Sequence, residues 1–209
     1  VREALLDAAV ALFAEHGVAA TSAVDIARRA GVTPAMVHYY FRGRDRLLDA
    51  VVDERMARFV AMVFASGAGG APPAVADLLP AIVARIFDAA RRMPWLPPLW
   101  IREIAAEGGQ LRERALRHLP RGAIGAVVDA MAAAQRRGLL RAGVEPRAVF
   151  LSMIGLTLFP LATQTVWRRL PGTEGVTLDD LQRHATAVLS AGLFEARAPL
   201  APPSRRKPR

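Results

Sequence analysis

The stretch Ser22–Arg44, SAVDIARRAGVTPAMVHYYFRGR, decides how the first part of this chain folds. It reads as two short helices meeting at a sharp turn. Ser22 is placed to cap the first helix, with Asp25 three residues on, near the positive end of the helix dipole. Ile26 and Ala30 make an inward i, i+4 pair, and Ala27 is small where a second helix must cross closely. Gly31 supplies the left-handed backbone that ends the helix. Thr33 is the expected cap of the second helix, and Pro34 fills its first turn, where a missing N–H costs nothing. Val37, Tyr40 and Phe41 share the buried face, which leaves Ala35, Met36, His38 and Tyr39 on the other side. Each feature alone is common in helical hairpins. The full set at this spacing is that of a helix-turn-helix, whose second helix enters the DNA major groove.

The rest of the composition fits an all-α protein. The chain has 209 residues, 53% of them apolar and 6% aromatic, which allows one domain or a small and a larger one. Abundant Ala and Leu favour helix over sheet. With no cysteine, neither a disulfide framework nor a cysteine metal site is expected. Val1–Arg2 leads straight into ALLDAAVALF rather than a signal peptide, so a cytoplasmic location is expected. The absent initiator Met leads to the expectation of a few further upstream residues, a basic arm among them. The net charge of +9 is weak support for DNA binding, because arginines and carboxylates balance from Val1 to Arg58. Part of the excess lies in a tail holding Arg197, Arg205, Arg206, Lys207 and Arg209. The local cluster Arg42, Arg44 and Arg46 beside the second motif helix is better support.

About nine helices are expected. The first spans 2–16, with Leu5, Ala9, Leu12, Phe13 and His16 on one stripe and Gly17 as its stop. The motif supplies the second and third. A fourth starts near Arg44 and carries Leu47, Leu48, Val51, Val52, Met56, Phe59, Val60 and Val63 out of the small domain. Residues 66–73, SGAGGAPP, read as a loop. Then follow a fifth helix over 74–92, a proline-broken corner at 93–98, a short helix in LWIREIAAE, and a helix over 111–137 bent near Pro120. An eighth over 146–170 and a ninth over 178–195, with Thr177 and Asp180 as a capping pair, complete the body. The segment APLAPPSRRKPR reads as a disordered basic tail.

Between Ala148 and Trp167 there is no charge. The run meets the length of a membrane span, but Ser152, Thr157, Thr163, Gln164 and Thr165 lower its hydropathy, and Gly155 and Pro160 interrupt it. An all-round apolar helix is equally expected when buried on both sides, here between the body and a second subunit. The ninth helix offers a matching stripe in Leu178, Leu181, Ala185, Val188, Leu189 and Gly192.

From Arg2 to Val51 the chain resembles the DNA-binding domain of the TetR family of bacterial transcriptional regulators. AVALFAEHG, TSAVDIARRAGV, TPAMVHYYF and RGRDRLLDAVV stand in that family's order, and beyond them the likeness is in length and helical layout only. It implies a DNA-binding domain at 1–46, a ligand-binding and dimerisation domain at 47–196 and a tail at 197–209. It further implies a homodimer through helices eight and nine, reading a palindromic operator with half-sites roughly 34–36 Å apart or a multiple of that. Carried across by position, Thr33, Ala35 and Met36 face base edges. His38, Tyr39, Ser22 and Arg44 face phosphate, with His38 and Arg44 replacing the usual tyrosine and lysine. Ala35 and Met36 offer no hydrogen bond, so thymine methyls or groove shape are what they would read.

The same resemblance implies a small-molecule pocket among helices four to eight and a ligand-released repressor. Candidate lining residues are Met62, Phe87, Met93, Trp95, Trp100, Ile104, Met131 and Phe159. Glu103 and Glu107 are the carboxylates placed to meet a cationic ligand, although each is also expected as a solvated surface charge. No cofactor or metal site is expected: His16, His38, His118 and His184 are scattered, and GAGG is followed by no GK[ST], so catalysis is not expected either. A structural or membrane-tethered helical protein is the alternative.

Overall fold

The computed structural model describes residues 1–64 and 74–194. The expected loop at 66–73 and the tail at 197–209 lie outside them. Helix α1 (Arg2–His16) buries Leu5, Leu6, Ala9, Val10, Leu12 and Phe13, and ends at Gly17, where φ is 88°. Helix α2 (Ala23–Arg29) opens on the capping box written in the sequence. The Asp25 N–H donates to Ser22 Oγ at 3.2 Å, and the Ser22 N–H donates back to the Asp25 carboxylate at 3.1 Å. The hydroxyl and N–H of Ser22 hold the exposed Asp25 carboxyl below its usual range. Its other end is a Schellman turn: Val32 N–H bonds Ala27 C=O at 2.9 Å, Gly31 N–H bonds Arg28 C=O at 3.1 Å, and Gly31 has φ 69°,. Helix α3 (Pro34–Phe41) packs on α2 and on the helix that follows it, and buries Val37 and Phe41 in the first core.

A single helical rod then leaves the small domain. Helix α4 (Arg44–Val51) runs through a π-helical turn (Val52–Met56) into α5 (Ala57–Val63). A boundary at 46/47 therefore falls inside a continuous rod. The first core also extends beyond that point: Val51, Val52 and Met56 belong to it, and Leu96, Leu99 and Leu111 join it from downstream. Arg55, 5% exposed, ties the rod back to α1 through the carboxylates of Asp7 at 2.9 Å and Glu3 at 2.8 Å.

The second core is built from α6 (Val75–Arg92), α9 (Arg121–Arg136), α10 (Pro146–Ala162) and α12 (Leu178–Leu193), with Phe87, Met131 and Met153 fully buried. Helix α7 (Leu96–Trp100) and a second π-helical turn (Ile101–Ala105) pass between the cores. The expected helix over 111–137 is two helices, α8 (Arg112–Arg117) and α9, because Pro120 cannot continue the first and instead caps the second,. The expected helix over 146–170 stops at Ala162, followed by the short α11 (Gln164–Trp167). Side chains end it by taking its last carbonyls: Thr163 Oγ1 bonds Phe159 O at 2.8 Å, Trp167 Nε1 bonds Pro160 O at 2.7 Å, and Gln164 Nε2 bonds Leu161 O at 2.9 Å,.

Among the described residues no helix is long and apolar enough to cross a membrane. The uncharged run is instead split by orientation. Met153, Thr157, Leu158 and Leu161 face the second core, while Leu151 and Phe159 stand 69% and 59% exposed. The stripe expected on α12 divides likewise. Ala185 and Leu189 are buried within the subunit, Leu178 and Leu181 are half-buried, and Val188 and Gly192 look outward. The Thr177–Asp180 capping box is present.

The Gly31 turn yields a clean test. A Cβ there meets nothing within 4 Å, so Gly31→Ala pays only for left-handed backbone, about 1–2 kcal/mol. Urea unfolding monitored by circular dichroism should show that loss without a change in slope.

Candidate nucleic-acid interface and ligand cavity

Helix α3 presents an outward face made by its period. With Val37 and Phe41 anchored inside, Ala35, His38 and Tyr39 are exposed, Tyr39 to 75%. The Tyr39 ring stands edge-on to Tyr40 at 5.0 Å, which holds it against the helix rather than letting it swing freely,. Thr33 has the extended backbone of a cap residue, yet its hydroxyl makes no cap bond and the residue is exposed. Thr33 thus stands at the expected cap position without the cap bond, and its hydroxyl remains available at the leading end of α3. Met36 departs from the expectation of a fully outward residue. It is half-buried, because its long side chain packs against the first core rather than standing off the helix,. Ser22 is exposed, but its hydroxyl donates to Asp25, so it builds the elbow and offers a phosphate no hydroxyl proton in this geometry.

Arg44 carries the largest difference from expectation. Its guanidinium donates to Thr21 O at 2.8 Å and to Val18 O, clamping the loop between α1 and α2 onto the start of α4. Two of its donors are spent on backbone, which makes it a structural tie first. The neighbouring arginines differ from it. Arg42 and Arg46 are exposed, and among the described residues their side chains make no ion pair. Arg42 sits at φ 54°, the one non-glycine residue with positive φ among the described residues, and so turns the chain sharply between α3 and α4,. Arg28 and Arg29 lean instead on Asp25 and Glu15.

The other side of the same loop is held from the larger domain. Glu103, 5% exposed, accepts the Val18 N–H at 2.8 Å on one oxygen and the Gln110 N–H at 3.0 Å on the other. It is neither a solvated charge nor a partner for a cationic ligand. Gly109 makes the arrangement possible, since a Cβ there would lie 2.3 Å from the Glu103 carbonyl oxygen. Sequence reasoning missed this contact: 85 residues separate Val18 from Glu103, and neither carries a local sign of the other. Glu107 is exposed.

A cavity of about 140 Å³ lies between the α4–α5 rod, the α7 segment, the α8–α9 corner and α10. Of the residues expected to line it, Trp100 and Ile104 do. Phe87 and Met131 are sealed in the second core, Met62 and Met93 pack at its margin, and Trp95 packs on the first core. Phe159 points away, to the outer face of α10. Met56, Phe59, Phe150 and Ile154 complete much of the lining. Their inward turn depends on how α10 meets the rod, which helical period alone does not fix.

The sequence pattern of "Bacterial regulatory proteins, tetR family" matches residues 5–51, and that of "Tetracyclin repressor-like, C-terminal domain" matches residues 76–191. The chain belongs to the TetR family. The HTH-type transcriptional regulator BetI of Rhizobium meliloti (strain 1021) is 30% identical over 100 residues, 48% of either chain. The family member described here therefore spans about half the length of the curated relatives it matches. Among solved structures, FadR from Bacillus subtilis, in complex with stearoyl-CoA, superposes with a TM-score of 0.67 at 18% identity, covering 92% of this chain and 99% of that one. SmeT, the repressor of the Stenotrophomonas maltophilia multidrug efflux pump SmeDEF, gives 0.63 at 22% identity, covering 100% and 97%. At those identities the likeness establishes the TetR fold.

Arg44 and Arg46 can be separated by experiment. Arg46→Ala should leave the unfolding midpoint unchanged, weaken DNA binding alike on all sequences, and lower the salt slope by about one. Arg44→Ala should in addition destabilise the chain by about 1 kcal/mol, from the two lost charge-assisted bonds. Paired urea titrations and fluorescence anisotropy over a salt series distinguish the two.

Proposed function

We propose that this TetR-family chain is a homodimeric repressor that binds a palindromic operator through α3 and is released by a small molecule in the cytoplasm. The observation that carries it is the outward presentation of Thr33, Ala35, His38 and Tyr39 beside the uncommitted arginines Arg42 and Arg46. Direct base readout rests on Thr33 and on the apolar Ala35, with Met36 reaching the groove from its half-buried seat. Phosphate contacts fall to His38, Tyr39, Arg42 and Arg46, with Arg44 in a supporting part. Ser22 serves the reader indirectly, by fixing α2.

A dimer is supported by the apolar face that α10 and α12 leave outward. Leu151, Gly155 and Phe159 repeat every fourth residue, and Ala187, Val188 and Ala191 flank them on the other helix. Two such faces related by a two-fold make a four-helix interface, which spaces two copies of α3 for successive turns of duplex. Release is supported by the path from cavity to reader. Ile104 lines the cavity and Glu103, one residue earlier, holds the loop that Arg44 ties to α4. A ligand acts along this path only to the extent that it prefers the released arrangement over the DNA-fitted one.

Selection from a pool of random duplex DNA at low salt tests the reading. Enrichment of an inverted repeat with half-sites about one helical turn apart, or a multiple, is expected; no enrichment refutes operator binding. The double variant Leu151→Glu/Phe159→Glu should run as a monomer in analytical ultracentrifugation and lose the enriched repeat.

A further inference from the structure

We propose that the effector is an uncharged, predominantly apolar molecule of about single-ring size, held in the cavity without an ion pair. This rests on the reading of the chain as a ligand-released regulator and specifies the chemistry of its sensing site. Three observations converge on it. No Asp, Glu, Lys or Arg lines the cavity among the described residues. The polar groups that reach it are the imidazole of His118, already paired to Asp53 at 2.8 Å, and the indole of Trp100. A charged ligand would lose its hydration there with no counter-charge in return, a loss that burial of an ion does not recover. The volume of about 140 Å³ is close to the roughly 150 Å³ of a dry apolar cavity that accepts benzene.

The third observation concerns the walls. Both π-helical turns open onto the cavity, Val52 and Met56 from one and Ile104 from the other. A π-turn closes its hydrogen bonds one residue further on than an α-turn and is frequent at functional sites. The two turns thus lend the cavity wall residues alongside Leu158 of the second core. The turn that carries Ile104 also carries Glu103, so displacement of the wall is felt at the Val18 N–H.

The test uses the full chain and four probes of like size: toluene and phenol, against benzoate and benzylammonium. Isothermal titration and thermal unfolding should show saturable binding of the neutral pair, at least about tenfold tighter than either ion, with a raised midpoint. Ala115→Phe and, as a milder filling of the same space, Ala57→Leu should abolish probe binding while unfolding stays cooperative. Ions that bind as tightly as the neutral probes overturn the proposal, as does the absence of saturable binding by any neutral probe. Undiminished toluene binding in both filled variants also overturns it. Operator binding is read separately, by gel shift without ligand. Its failure alongside intact neutral-probe binding counts against the regulator reading and leaves the ligand chemistry standing.

Discussion

The six residues between α1 and α2 are held from two directions, and the relation between the two halves of the protein depends on that grip. Arg44 pulls on the carbonyls of Val18 and Thr21 from the DNA-reading side, and Glu103 takes the Val18 N–H from the other. Thr21 closes the loop on itself by donating to Gly17 O at 2.8 Å. Buried backbone groups must be paired somewhere. Here they are paired with side chains from separate domains, which makes a connecting loop into a joint. Glu103 is a costly choice for such a place, since a buried carboxylate needs strong donors. Two backbone N–H groups supply them, and the missing side chain of Gly109 lets the chain approach closely enough.

The same economy governs the long rod from Arg44 to Val63. Its first part belongs to the small core, its π-turn to the cavity, and its end to the larger core, where Val63 is buried. Arg55 and Glu54 fasten its middle to α1 through Asp7, Glu3 and Arg2. A movement of the rod cannot therefore leave α1 behind, and α2, on which α3 packs, rests on α1.

Local grammar was legible in the sequence wherever one helix or one turn set the outcome. The Ser22–Asp25 and Thr177–Asp180 boxes, the Gly31 turn, the Pro34 start and the buried pair Val37 and Phe41 stand where spacing put them. Helix ends were legible too until side chains intervened. Thr163, Gln164 and Trp167 each claim a carbonyl of α10, and nothing in a hydrophobicity profile marks that. What periodicity could not give was which of two apolar faces meets the subunit's own core. Phe87 and Phe159 looked alike as lining candidates, yet one is sealed inside and the other stands outside, because α10 and α12 each carry a second apolar face. Arg44 looked like a phosphate contact and Glu103 like a solvated or ligand-facing charge, because the partners of Arg44, and the Val18 N–H that Glu103 takes, are backbone groups 23 or more residues away. Such partners have no residue type to announce them. Met36 was placed by angle alone, and its flexibility carried it inward.

Adjacent positions on one turn have been given unrelated duties: Ile104 lines the cavity, and Glu103 holds the joint. Exchange of aliphatic and aromatic neighbours around Ile104 changes the shape of the chamber without disturbing a single polar partner of the joint. Ordinary apolar replacements can therefore reshape the chamber while the joint is inherited intact. A wiring in which the carboxylate itself gripped the signal would have forbidden that freedom.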